Sequence, residues 1–335
     1  MIKNSTSLNR PKVLVRAQLT PSAIEKLESI AEVYLNPDID AEELNHRIAD
    51  FDAIVCHGPE RLYTTQFFEA ASRLKILART SVGTDMVDIA AATDHGVLVT
   101  NAPGTNAISV AEQGILLMLA ISRRLVLCHQ KVCSGEPFRR ADIYQALQGF
   151  EIYGKTMGLI GYGAVGRQLS KRAIAMDVHV NAFDPFVNID LMKADGVNPT
   201  SVEKLLSVSD YVLLCCPLTD ETRGMMNKQT LQQMKPDAYL INIARGALVV
   251  SSDLCEVLKT GQIAGAALDV SDPEPPLKND PLLKFENVIF SAHQGGNTKE
   301  CWERMCHTAV NNALQYFKGE SPDNLINRNV LSDSD

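Results

Sequence analysis

The chain has 335 residues, 45% hydrophobic and 21% charged: enough apolar material for about two cores and too much for a disordered chain. Its 32 Lys and Arg against 40 Asp and Glu leave a net charge of −8, which argues against nucleic acid or an anionic membrane as partner. No apolar run approaches the roughly 20 residues of a membrane span; the best, Gly114 to Ile121, is flanked by Glu112 and Arg123.

Strand and helix signals alternate from the start. Val13 to Val15 is a short β-branched run, and Pro21 to Leu27 has the look of a helix start. Val33 to Leu35, Ala53 to Cys56, Leu74 to Ala78 and Val97 to Thr100 are further strand candidates. This alternation implies a parallel sheet. A long helix is expected over Ser109 to Leu127, with Ser109 as cap and Glu112 completing a capping box. Its apolar residues exceed one stripe, so burial on more than one side is expected. Cys133 to Tyr153 reads as a connection. Six more strand candidates follow: Thr156 to Ile160, Val178 to Phe183, Tyr211 to Cys215, Tyr239 to Ile243, Ala264 to Leu268 and Val288 to Ser291. Six match one complete Rossmann domain. Leu331 to Asp335 is expected to fray.

The cysteines are Cys56, Cys128, Cys133, Cys215, Cys216, Cys255, Cys301 and Cys306, and no pair has C-x-x-C spacing. Met1 to Val15 holds no apolar stretch of signal-peptide length. Reduced thiols, no metal site and a soluble, cytoplasmic setting are expected.

Gly161-Tyr162-Gly163-Ala164-Val165-Gly166 is a G-x-G-x-x-G pattern with an apolar strand running into it and a helical segment, Arg167 to Met176, running out. Gly161 would allow the tight turn, Gly163 the approach of a pyrophosphate, and Gly166 close helix–strand packing. The helix N-terminus would present free N–H groups to the phosphates. The next strand ends at Asp184, where a carboxylate can accept both adenosine ribose hydroxyls. Pro185 and Phe186 supply no Arg for a 2′-phosphate, so NAD is expected rather than NADP.

Three polar residues stand at later strand ends, the edge where doubly wound folds bind ligands. Arg245 follows Leu240–Ala244, Glu274 lies in Asp272-Pro273-Glu274-Pro275-Pro276, and His293 follows Phe290-Ser291-Ala292. Arg245 would clamp a carboxylate and polarise a C2 oxygen. His293 would be the acid/base, with Glu274 orienting its ring.

These motifs together resemble the D-isomer-specific 2-hydroxyacid dehydrogenase family, especially its phosphoglycerate dehydrogenase-like branch. The resemblance rests on Arg79–Asp85, Asn101–Gly104 with Ser109–Glu112, the glycine motif, Cys216–Thr222, Asn242–Gly246, Leu268–Val270 with Glu274-Pro275, and His293–Gly296. It implies two Rossmann-like α/β domains with parallel sheets. The NAD domain, 104–296, would be inserted into a flavodoxin-like substrate domain made of 1–103 and 297–335. It implies that Arg245, Glu274 and His293 are the catalytic set, and that the backbone of Ser81, Val82 and Gly83 receives the substrate carboxylate. The NAD site would be lined by Gly161, Gly163, Ala164, Val165, Gly166, Asp184, Cys216, Pro217, Thr222, Ile243, Ala244, Arg245 and Asp269, with Asp269 near the carboxamide. A homodimer built largely on the Ser109 helix is also implied.

Some positions depart from the family pattern. Cys215 replaces a frequent His, Val250 a usual Asp, and Met86 a frequent Asn. Cys56-His57-Gly58 stands where phosphoglycerate dehydrogenases usually present an Arg-Ser pair, which puts phosphoglycerate in question; Arg61 or His57 could compensate. No C-terminal regulatory domain is expected. The leading expectation is an NAD-dependent dehydrogenase of a small anionic D-2-hydroxy or 2-keto acid, such as 3-phosphoglycerate, hydroxypyruvate or glyoxylate. The alternatives are a formate dehydrogenase-like reaction, against which Glu274 argues because those relatives pair the His with Gln, and an NAD(H)-sensing corepressor-like scaffold.

Overall fold

Two sets of short apolar runs build two parallel sheets in the computed structural model, which describes residues 10–58, 61–135 and 141–334. The readings of Met1 to Val15, of Cys133 to Tyr153 and of the C-terminal tail therefore lie partly outside the described residues. The chain divides into two compact units, residues 1–106 with 298–335 and residues 107–297.

The first unit carries β1 (Lys12–Arg16), β2 (Glu32–Leu35), β3 (Ala53–Cys56), β4 (Ile76–Arg79) and β5 (Leu98–Thr100). Their order is β2-β1-β3-β4-β5, all parallel, which is the flavodoxin-like arrangement. Alternate residues serve opposite faces, as the strand period of two requires. Val13, Val15, Ala53, Val55, Ile76 and Ala78 pack against Cys306, Ala309, Val310 and Ala313 of the helix Lys299–Phe317. Leu14, Ile54, Leu77 and Val99 pack on the other side with Phe51, Phe67 and Phe68. The helix that follows the second unit in sequence is thus part of the first unit's core.

The second unit carries β6 (Thr156–Ile160), β7 (His179–Phe183), β8 (Asn198–Pro199), β9 (Tyr211–Leu214), β10 (Tyr239–Asn242), β11 (Gly265–Leu268) and β12 (Val288–Phe290). The parallel order is β12-β11-β10-β9-β6-β7-β8. The chain goes outward from β6 to β8, then returns to β9 on β6's other side. That reversal makes a crevice beyond the C-terminal ends of β6 and β9, where such sheets bind ligands. The seventh strand, β8, was not among the expected six. It has only two residues, one of them Pro199 at the sheet edge, so it carries no periodic signal.

Three expectations need correction. The helix expected over Ser109 to Leu127 is two helices, Ala107–Ser122 and Leu125–Cys133. Arg124 between them is left-handed, with φ of 49°. The Ser122 carbonyl accepts from Phe150 N–H at 2.8 Å rather than from a next helical turn, and Gly149 lies so close to Ser122 and Arg123 that a Cβ there would clash. Ser109 lies inside the first helix and is buried, so it is not the cap. The C-terminal residues Arg328–Ser334 form a 3-10 segment instead of fraying. No helix among the described residues is long and apolar enough to cross a membrane.

Candidate active site

The glycine loop leaves β6 into the helix Ala164–Ile174, which starts three residues earlier than its sequence signal. Gly161 has φ of +98°, and a Cβ there would lie 2.7 Å from Cys216 N. A Cβ on Gly166 would lie 2.6 Å from the Gly161 carbonyl oxygen. The fold itself therefore demands both glycines. Gly163 differs: it caps the helix, it is exposed, and a Cβ there would meet nothing within 4 Å. Its small size leaves room beside a helix N-terminus whose first N–H groups have no intrahelical partner. Ala164 is exposed and Val165 half-buried at the edge of the core.

Asp184 follows β7, and its carboxylate accepts from Tyr162 N–H at 2.8 Å and from Phe186 N–H at 2.9 Å. It therefore ties the glycine loop to the end of the second strand, and each oxygen retains a lone pair for a ribose hydroxyl. Beyond β9, Cys215 Sγ lies 3.4 Å from the Gly161 carbonyl. Burial pushes the Cys215 thiol far up and the Cys216 thiol up to about 11, so both are packing groups at neutral pH. Thr222 accepts from Thr219 N–H at 2.8 Å and donates to the Pro217 carbonyl at 2.8 Å, closing the loop from Pro217 to Thr222. These residues fit a dinucleotide: open space at Gly163, free N–H groups, and an acid at the second strand.

Arg245 sits after β10 with an extended backbone. Asn242, fully buried, holds this turn: its Nδ2 donates to the Arg245 carbonyl at 2.8 Å and its Oδ1 accepts from Ala244 N–H at 3.1 Å. Gly246 lets the turn pass Ser271, since a Cβ would fall 2.1 Å from the Ser271 carbonyl. Sequence reasoning missed Asn242 and Gly246 as positioning residues; a polar residue closing a buried apolar strand was the available signal for Asn242. Ile243 is buried and Ala244 half-buried in this turn. Val250 occupies the cap position of the helix Ser251–Lys259 and supplies no side-chain acceptor.

The His293 Nδ1 lies 2.7 Å from Glu274 Oε1, and both side chains are half-exposed. With Nδ1–H donating to the carboxylate, the neutral ring keeps its lone pair on Nε2. Asp269, only 3% exposed, lies beneath them. It accepts from Ser291 Oγ at 2.6 Å, Gln294 N–H at 2.8 Å and Gly295 N–H at 2.9 Å.

Within the first unit, Ser81, Val82 and Gly83 follow β4. Arg79 Nε donates to Ser81 Oγ at 3.0 Å, Ala102 N–H to the Ser81 carbonyl at 3.1 Å, and Asn101 Nδ2 to the Val82 carbonyl at 2.7 Å. The turn is held through its oxygens, which leaves its N–H edge to donate. Cys56 is fully buried, and burial pushes its thiol up, so it belongs to the core. His57 Nδ1 lies 2.7 Å from Thr80 Oγ1, and its ring meets Trp302 edge-on at 4.8 Å.

A doubly wound sheet with a glycine loop at its switch point and an Arg, Glu and His at later strand ends defines a dinucleotide-binding α/β protein. Residues 115–295 match the family described as D-isomer specific 2-hydroxyacid dehydrogenase, NAD binding domain, and the chain belongs to that family. It is 36% identical over 317 residues to a D-3-phosphoglycerate dehydrogenase of Methanocaldococcus jannaschii, covering 94% of this chain and 59% of that protein. The chain thus spans little more than half the length of that relative. It is 37% identical to a glyoxylate reductase of Thermofilum pendens over 96% of each chain. A solved protein from Thermus thermophilus shares the fold with a TM-score of 0.85 and 33% identity, covering 94% of this chain and 99% of that one.

Proposed function

We propose that this protein is an NAD-dependent dehydrogenase that oxidises small D-2-hydroxy acids at C2, or reduces the matching 2-keto acids. Glyoxylate, hydroxypyruvate and 3-phosphoglycerate are the substrates to try. The observation that carries the reading is the 2.7 Å His293–Glu274 pair in the unit that holds the glycine loop. When bound, the nicotinamide exchanges a hydride with C2. His293 Nε2 takes the C2 hydroxyl proton in oxidation and returns it in reduction. Glu274 fixes the ring's tautomer and supports the imidazolium. Arg245 holds the substrate carboxylate and polarises the C2 oxygen. Asp184, followed by Pro185 and Phe186, favours NAD over NADP because it repels a 2′-phosphate and no Arg follows to receive one.

The test is absorbance at 340 nm with NADH and glyoxylate, hydroxypyruvate, pyruvate or 2-ketoglutarate, and with NAD and 3-phosphoglycerate. His293→Ala should abolish turnover and leave NADH affinity intact. Tight NADH binding without turnover of any substrate would favour the scaffold reading instead. We further propose a homodimer in a reducing, cytoplasmic setting. Support comes from eight free thiols and from exposed Ile108, Leu116, Leu125 and Val132 along the two helices between residues 107 and 133. Light scattering that finds only monomer would remove the dimer.

A further inference from the structure

Tyr162 is the second residue of the glycine loop, and its side chain is buried. It is 1% exposed and lies in one core with Leu169, Ala173, Met192 and Val197. Its ring passes the start of the helix Ala164–Ile174, since a Cβ on Gly166 would lie 3.6 Å from Tyr162 Cδ2. A phenylalanine ring would fill that space as well, so the hydroxyl answers to something other than packing. A buried phenol needs a hydrogen-bond partner, and here the partner is a carboxylate. Tyr162 Oη donates to Asp195 Oδ2 at 3.0 Å and lies 3.1 Å from Ser170 Oγ. The same Asp195 oxygen accepts from Arg167 Nε at 3.0 Å, and Ser170 Oγ donates to the Arg167 carbonyl at 3.0 Å. Asp195 caps the C-terminal end of the helix Ile189–Ala194, so the phenol is held by two helices at once. The backbone of the same residue serves the cofactor side. Tyr162 N–H donates to Asp184 Oδ2 at 2.8 Å, and a shift of the ring would carry that N–H with it.

We propose that Tyr162 is a positioning residue for cofactor choice: its hydroxyl, anchored on Asp195, fixes the loop so that Tyr162 N–H holds the Asp184 carboxylate in place for the ribose hydroxyls and against a 2′-phosphate. The anchor thus sets how strongly NADH is preferred over NADPH. The inference rests on Asp184 being the ribose acid.

The test compares Tyr162→Phe, Asp195→Ala, Asp195→Asn, Asp184→Asn and the double variant Tyr162→Phe/Asp184→Asn in the full chain. The readouts are NADH and NADPH affinity by fluorescence titration, which need no turnover. Tyr162→Phe keeps the ring and should weaken NADH about fivefold, the scale of one net hydrogen bond. NADPH gains nothing from Asp184 and should change by less than about twofold, so the preference for NADH should narrow. In the Asp184→Asn background, Tyr162→Phe should cost less than about twofold, because the two residues act in series and their effects do not add. Asp195→Ala should match Tyr162→Phe. Asp195→Asn, which keeps an acceptor oxygen for the phenol, should bind NADH within about twofold of the wild type. An unchanged NADH-to-NADPH ratio in Tyr162→Phe, or a Tyr162→Phe loss of full size in the Asp184→Asn background, would overturn the proposal. Should Tyr162→Phe fail to fold, the Asp195 pair decides: Asp195→Asn as damaging to NADH binding as Asp195→Ala would overturn it as well. Wild-type NADH affinity in Asp184→Asn would instead refute the ribose assignment itself.

Discussion

Replacing each loop glycine with alanine separates what the fold needs from what a ligand needs. At Gly161 an added Cβ meets Cys216 N at 2.7 Å and Cys215 C at 2.8 Å, and φ of +98° is strained for any L-residue. Strain of that kind costs roughly 1–3 kcal/mol, before the backbone clash is counted. At Gly166 the Cβ meets the Gly161 carbonyl oxygen at 2.6 Å. Overpacking costs about 1–3 kcal/mol, offset by up to about 1 kcal/mol from alanine's better helix propensity. At Gly163 nothing lies within 4 Å, and φ of −75° is ordinary, so Gly163→Ala should unfold within about 1 kcal/mol of the wild type. The same methyl would occupy the space assigned to the pyrophosphate, so NADH affinity should fall at least tenfold, about 1.4 kcal/mol. Urea unfolding and NADH fluorescence titration on the three variants provide the measurement. Wild-type NADH affinity in Gly163→Ala would refute the cofactor placement. Wild-type stability in both Gly161→Ala and Gly166→Ala would refute the packing argument.

Glu274→Gln should lower kcat by about 100-fold, within the range of acid–base contributions. It should change stability by less than about 1 kcal/mol, because the pair is 47% and 41% exposed and solvent screens it; a large loss of stability with normal kcat would contradict its role. Val250→Asn should stabilise the protein by about 0.5–1 kcal/mol in urea unfolding, since it supplies the missing cap acceptor of the helix Ser251–Lys259. Asn is chosen over Asp because Asp253 already places a negative charge in that first turn. Burial alone would raise the Asp210 carboxyl, but Lys235 at 2.5 Å and Thr156 N–H at 2.8 Å hold it below the usual carboxylate range. A carboxyl lowered in the folded state stabilises fully above its unfolded pKa, about 3.9. That contribution is lost as pH falls through the folded value. Asp210→Asn should therefore cost about 1–2 kcal/mol at pH 7. The gap from the wild type should close below about pH 4, and a pH-independent gap would show that the charge is not responsible.

Local signals carried most of the second unit. The glycine triad, the apolar run before it and Asp184 after the next strand were legible because each answers a constraint that acts over a few residues. Arg245, Glu274 and His293 were legible only as polar residues at strand ends. That Glu274 and His293 meet at 2.7 Å depends on neighbouring loops, which no periodicity encodes. The break at Arg124 was invisible for the same reason: the apolar pattern continues, and a distant residue, Phe150, takes the Ser122 carbonyl.

The sequence by itself determined that this is a parallel α/β protein with a dinucleotide loop, since strand period, turn glycines and capping are properties of adjacent residues. Only the tertiary structure showed which strands are hydrogen-bonded neighbours in register, and which residues of the helix Lys299–Phe317 pack on the sheet begun at Lys12. It also showed that Asp269 commits its carboxylate to the loop around His293. Those facts depend on residues far apart in the chain meeting in buried space, where every donor must find an acceptor and every strand a partner.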